Sequence, residues 1–182
     1  MSKIINIENI LEHFFKEPNK WFHVRELARL KKLNPSTISK YLNKLNKENL
    51  VIKKSERNHL LFKANTESED LKDYKKFFNI RLIKKSGLIE YIKKELHYPD
   101  IIILFGSFAK AENDTDSDID LFVISNVKKQ LNLEKFEKNL GKTIQIFVES
   151  PKDFINMQKN NKNLVNNILN GIILTGYIEV FK

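Results

Sequence analysis

Cysteine is absent from the 182 residues of this chain. That excludes disulfides and thiolate metal sites, and it suits an interior, reducing compartment. Long apolar runs are absent as well. Nothing approaches the ~18 consecutive apolar residues that read as a membrane span, so no membrane partner is expected. The first apolar stretch, residues 4–15, is interrupted by Asn6, Glu8, Asn9, Glu12 and His13. It lacks the continuous core of a secretory signal, and the expected location is cytoplasmic. Histidine is scarce. His13, His23, His59 and His97 have no neighbours at metal-ligand spacing and read as surface or core residues. Glycine and proline are also few, five and four, and several mark element boundaries below.

What is present is enough for a globular core, in one domain or two small ones: 41% of residues are hydrophobic. The net charge of +9 is unevenly spread. Residues 1–65 hold 14 Lys/Arg against 6 Asp/Glu, residues 66–99 hold 8 against 6, and residues 100–182 hold 10 against 11. The positive surplus therefore lies in the first third, where it points to a nucleic-acid contact. A lysine-rich solubilising surface would give the same count.

Ile4, Ile7, Ile10, Leu11, Phe14 and Phe15 recur at intervals of three and four, which predicts an amphipathic helix stopped by Pro18. Residues 23–33 predict a second short helix, with Trp21 and Phe22 packing the chain's return. Asn34-Pro35 opens a third, about 35–49, because Asn is a good N-cap and Pro suits the first helical position. Ile38, Leu42 and Leu45 form its inner face, and Ser36, Thr37, Ser39, Lys40, Asn43 and Lys44 its outer face. Two strands follow at 50–53 and 60–64, joined through residues 54–59, which include Lys54 and Arg57.

Leu71, Tyr74, Phe77, Phe78, Arg81 and Leu82 predict a connecting helix, whose aromatic stripe packs on either domain or forms a homodimer contact. Gly87 interrupts, and Leu88, Ile89, Ile92, Lys93 and Leu96 predict another helix ended by Pro99. Beyond residue 125 a helix is expected over 131–140, closed by Gly141. A strand follows over 143–149, then a helix capped by Ser150, and a last helix through Leu164, Val165, Ile168 and Leu169 stopped by Gly171. Residues 172–174 and 177–180 are expected to pair as a small closing hairpin.

The chemistry-bearing stretch is 101–125. Ile101 to Phe105 are all apolar, the pattern of a strand buried on both faces. Gly106 can take a sharp turn and lets a ligand approach the main chain. Ser107 then stands at a helix start, where hydroxyl and free N–H groups suit phosphate. After the polar run 112–117, a second strand over 118–125 places Asp118 and Asp120 on one face, roughly 7 Å apart by strand rise. Two such carboxylates can converge on a hard cation, which in turn can hold phosphates. Asp114, Asp116, Asp118 and Asp120 also alternate as in a calcium loop. Such a loop needs glycine at its sixth position and glutamate at its twelfth, where this chain has Ile119 and Ser125.

Gly106-Ser107, ten residues, then Asp118-Ile119-Asp120 resembles the signature of the nucleotidyltransferase superfamily related to DNA polymerase β, and most of all its minimal nucleotidyltransferase branch. Ala109, Ser117 and the apolar strands on each side extend the likeness, which covers about residues 86–180. The first 65 residues resemble a winged helix-turn-helix, with Ser36 to Leu42 as its recognition helix. The expected fold is thus α+β: a winged helix-turn-helix domain at 1–65, a helical connector at 66–85, and a nucleotidyltransferase domain at 86–182, a mixed sheet with flanking helices.

The resemblance implies Mg²⁺ held by Asp118 and Asp120, a triphosphate such as ATP held at Gly106 and Ser107, and AMP or another nucleotide transferred to a hydroxyl. It names Asp118, Asp120 and Ser107 as the catalytic set. It also implies an acceptor, a tyrosine of a HEPN-type toxin encoded alongside, which would make this chain an antitoxin. On the DNA side it assigns Ser36, Thr37, Ser39, Lys40, Asn43 and Lys44 to the major groove, with Lys54 and Arg57 in the wing meeting backbone or minor groove. One position departs from the family pattern. A third carboxylate is expected on the next strand, and alignment puts Gln145 there. Glutamine is neutral and cannot accept a proton near pH 7. A second reading therefore stands beside the enzyme: a winged-helix regulator whose degenerate transferase domain binds nucleotide or a protein partner.

Overall fold

A computed structural model describes residues 7–57 and 59–178. The N-terminal part opens with α1 (Ile7–Lys16), the two-residue strand β1 (Phe22–His23), α2 (Val24–Lys31) and α3 (Pro35–Lys47). A hairpin of β2 (Val51–Glu56) and β3 (His59–Ala64) follows. The sheet order is β1-β3-β2. The spacing at three and four does what it predicts: Ile10, Leu11, Phe14, Leu27, Ile38, Leu42 and Leu45 have no solvent exposure, and the rings of Phe14 and Phe22 meet edge to face at 5.2 Å. Asn34 occupies the N-cap and Pro35 the first helical position of α3, although the Asn34 side chain makes no capping bond. Residues 4–6 of the first expected helix lie outside the described residues.

Two local expectations differ. Phe22 is not only packing a return; it pairs with Phe62 as a third strand. The expected 54–59 loop is mostly strand, because the β2–β3 ladder continues to the Glu56–His59 pair. A two-residue strand and a charged hairpin tip carry too little apolar periodicity to be seen in sequence.

The remainder begins within α4 (Glu69–Lys85), followed by α5 (Leu88–Glu95), β4 (Ile101–Phe105), α6 (Gly106–Lys110), β5 (Ile119–Ile124), α7 (Glu134–Leu140), β6 (Ile144–Glu149), α8 (Pro151–Asn160), α9 (Lys162–Leu169) and β7 (Ile172–Gly176). The chain divides into two compact units, Met1–Lys75 and Lys76–Lys182, the division falling inside α4. The second unit is built on a sheet of order β6-β5-β4-β7, in which β5 and β6 run parallel and the other pairs antiparallel. The fold is therefore mixed α and β, as the element pattern predicts. Alternation along the strands serves two cores. Ile102, Leu104, Leu121, Val123 and Ile144 pack with residues of α5, α6 and α7 on one face. Ile101, Ile103, Phe105, Phe122 and Ile124 pack with Phe154 of α8 and Val165 and Ile168 of α9 on the other.

Two caps of the second unit behave as their residue types require. Gly141 ends α7 at φ 64°, and Ser150 Oγ accepts a hydrogen bond from the Asp153 N–H at 3.1 Å to start α8. The expected helix at 131–140 starts later, at Glu134. The closing hairpin does not form as expected. Residues 172–176 pair antiparallel with β4 instead, while Tyr177 and Ile178 are not strand and 179–180 lie outside the described residues. An exposed edge of β4 is the better partner, because it offers a whole ladder of unpaired backbone groups.

One buried polar pair ties α4 to the segment that carries the glycine kink. Asn79, 1% exposed, donates through Nδ2 to the Phe108 carbonyl at 2.9 Å and to Asn113 Oδ1 at 2.8 Å. Asn79→Ala removes both bonds and is expected to destabilise the fold by about 1–3 kcal/mol in urea denaturation.

Candidate active site

Gly106 makes the turn from β4 into α6 at φ 69°, a left-handed conformation that suits glycine. A Cβ built there would stand 2.3 Å from Asp120 Oδ2. The backbone kink and the aspartate carboxylate are therefore direct neighbours. The ladders explain why: Phe105 pairs with Asp120 across β4–β5, and Asp120 pairs with Gln145 across β5–β6. Asp118 lies one residue before β5 and, two residues from Asp120, on the same face. Gln145 Nε2 donates to Asp118 Oδ2 at 2.7 Å. Gly106, Asp118, Asp120 and Gln145 are thus brought together, and Ser107 follows the kink in the first turn of α6.

This cluster stands at one end of the sheet face on which Ile101, Ile103, Phe105, Phe122 and Ile124 pack against α8 and α9. Partial burial pushes the Asp120 carboxyl above the usual range, and the neighbouring Asp118 charge pushes it the same way. Its ionised form is thus disfavoured in the fold, a penalty that is absent below the ordinary Asp pKa of about 3.9 and grows as pH rises through the raised value. Asp120→Asn is expected to raise the melting temperature at pH 7, with the gap to wild type closing below about pH 4.

The loop before Asp118 is held from the strand side. Lys142 Nζ donates to the carbonyls of Asp114 at 2.6 Å and Thr115 at 2.5 Å. Burial lowers the Lys142 pKa, while Asp114, Asp116 and Asp118 oppose that shift. Asp114 Oδ1 accepts from the Ser117 hydroxyl and the Asp116 N–H. Sequence reasoning missed Lys142 and Asn79. No local signal marks them, because each acts on a partner about 30 residues away.

Gln145 brings no charge to the cluster; it is an exposed amide in register with Asp120. Glu149, the next acid on the Gln145 side of β6, pairs in register with Ile124 and is bound to Lys128 at 3.1 Å. Among the described residues no group of three or more His, Asp or Glu side chains converges as a metal site, and no ion pair forms with Asp118 or Asp120. An open hollow of about 450 Å³ is lined by Lys128, Lys129, Gln130, Leu131, Ile146 and Val148. Ile146 and Val148 alternate with Gln145, so the hollow lies on the opposite side of β6 from the aspartates and shares no residue with them.

Residues 85–177 match the polymerase beta, nucleotidyltransferase family. The chain belongs to that family. The match takes in β4, the kink, both aspartates and Gln145, so the clustered residues all lie within the nucleotidyltransferase domain. Residues 22–53 match a second family, the bacterial regulatory proteins of the arsR family, over β1, α2, α3 and the start of β2. The chain thus joins a helix-turn-helix domain to a nucleotidyltransferase domain. No curated protein and no solved structure matches it. Among the described residues no helix is long and apolar enough to cross a membrane.

In the helix-turn-helix part, Ser36, Lys40 and Lys44 of α3 are exposed, while Thr37, Ser39 and Asn43 are half-buried. Lys54 lies within β2 rather than in a loop. It bonds Glu56 at 2.7 Å and rests over the Trp21 ring at 4.7 Å, so part of its charge is already compensated. Arg57 occupies the turn at φ 47° and is exposed.

Proposed function

We propose that this nucleotidyltransferase moves AMP from ATP to a protein hydroxyl, a tyrosine of a HEPN-type toxin, and acts as an antitoxin that binds DNA through its N-terminal domain. The observation that carries the reading is the convergence of Gly106, Asp118 and Asp120 on one end of a sheet face within the family match. Two carboxylates on one strand side, with no cation of the described residues paired to them, are a donor set that fits one hard divalent cation such as Mg²⁺. When bound, that ion would supply charge neutralisation to the triphosphate.

The chain's own residues supply the rest. Gly106 has no side chain to displace the Asp120 carboxylate from beside the kink. Ser107 and the first N–H groups of α6 would hold the β- and γ-phosphates. Placement then does most of the work, because a held triphosphate and a held hydroxyl react as if unimolecular. The acceptor oxygen attacks the α-phosphorus and pyrophosphate leaves. Gln145 takes no proton at that step, so the proton passes to solvent or to a base on the acceptor protein.

For DNA, Ser36, Lys40 and Lys44 are the exposed candidates on α3. Arg57 extends the same basic character to the wing. Contacts by these lysines and Arg57 to phosphate would add affinity that falls steeply with salt.

The second reading, a regulator that binds nucleotide without turnover, is favoured by one specific observation: Gln145 stands where a carboxylate would serve catalysis. Incubation with labelled ATP, Mg²⁺ and the HEPN-type protein encoded alongside separates the two. Covalent label on the partner supports the transferase. Folded protein that binds nucleotide and DNA yet never labels a partner, with any divalent metal, supports the regulator.

A further inference from the structure

We infer that the aspartate site admits one divalent cation and not two, because the Gln145 amide closes the place of the second. This rests on the transferase reading above and narrows it. Gln145 stands across from Asp120 in the parallel β5–β6 ladder, and its Nε2 lies 2.7 Å from Asp118 Oδ2. Only the N–H side of an amide can face a carboxylate oxygen at that distance, since the carbonyl oxygen would meet like charge. The group aimed at Asp118 is therefore a donor carrying partial positive charge.

Two consequences follow for a cation. The amide occupies one acceptor direction of Asp118, and its dipole opposes positive charge on that side. Paired metal sites hold their ions roughly 3.5–4 Å apart and need anionic oxygen on both sides. Asp118 and Asp120 serve one side. On the other stands the Gln145 amide. Glu149 cannot take over, because it pairs with Ile124 four residues along the strand and is engaged by Lys128 at 3.1 Å. Asp114, the nearest acid upstream that is fixed by bonds, accepts from Ser117 and Asp116 within its own loop. Gln145 is thus a positioning residue: it orients Asp118 and limits how many ions the site accepts.

The test uses the full chain, Mn²⁺ as the ion and α,β-methylene-ATP as an unreactive nucleotide. Bound Mn²⁺ is counted per chain by equilibrium dialysis and located in crystals by its anomalous signal. The expected result is one ion against Asp118 and Asp120 in the wild type, and two in Gln145→Glu, where a carboxylate replaces the amide. Because Gln145 is exposed, this variant is expected to fold. Two ions in the wild type overturn the inference, as does a single ion in Gln145→Glu or a Gln145 carbonyl oxygen bound directly to Mn²⁺. A wild type with no ion at Asp118 and Asp120 has a different meaning. It removes the transferase reading itself, and the inference falls with it.

Discussion

Gly106→Ala is expected to lower nucleotidyl transfer by about 10²-fold or more and to destabilise the C-terminal unit by about 1–2 kcal/mol. The two effects have separate causes. Gly106 has φ 69°, and a residue with a Cβ pays about 1–2 kcal/mol to hold a left-handed conformation. The added methyl also stands 2.3 Å from Asp120 Oδ2 and 3.2 Å from its carboxyl carbon. Backbone at the end of β4 is fixed by the ladders to β5 and β7. The aspartate side chain must therefore give way, swinging by about 1 Å, and a misplacement of that size at a reacting centre can cost about 10²-fold. Thermal denaturation reads the first effect and pyrophosphate release the second. A Gly106→Ala protein with wild-type turnover would show that the reaction does not depend on Asp120 standing beside the kink.

Asp118→Asn is expected to reduce transfer of label from ATP by about 10³-fold, the scale reached when a group that stabilises transition-state charge is removed. Stability at pH 7 should rise slightly, because the charge that presses on the Asp120 carboxyl is removed. The side chain keeps its shape, and the carbonyl oxygen of the new amide can still accept from Gln145 Nε2. Salt-dependent DNA binding by the N-terminal domain should also be unaffected, since Asp118 lies in the other compact unit. That combination is diagnostic: a protein whose transferase domain only binds nucleotide has no transfer to lose. Label transfer is read by autoradiography, stability by melting temperature and DNA affinity by titration at several salt concentrations. Transfer by Asp118→Asn at the wild-type rate would remove Asp118 from the chemistry.

The strand–glycine–helix–strand stretch was legible because each part carries a strong local signal. Five consecutive apolar residues, Ile101 to Phe105, are buried on both sides. The α3 face was legible for a similar reason: Ile38, Leu42 and Leu45 repeat at helical spacing and are fully buried. Elements lacking such repetition were misplaced. β1 spans two residues, too few for any period to register. The C-terminal segment reads in sequence as a hairpin with its own neighbour, yet it pairs with β4, about 70 residues earlier. Local turn residues such as Thr175-Gly176 suggest a nearby partner, whereas an open ladder elsewhere decides the pairing.

By itself, the sequence determined the parts that follow from chain geometry: two aspartates two residues apart on one side of an extended segment, a glycine where the main chain must turn, and an uncharged residue on the later strand. Tertiary structure alone decided their meeting. Asp120 touches the kink because β4 and β5 pair with Phe105 opposite it, and Gln145 reaches Asp118 because β6 lies parallel to β5 with Asp120 opposite Gln145. Register between strands that lie far apart in the chain is set by how their apolar faces fit a shared core, and no single stretch of residues contains that information.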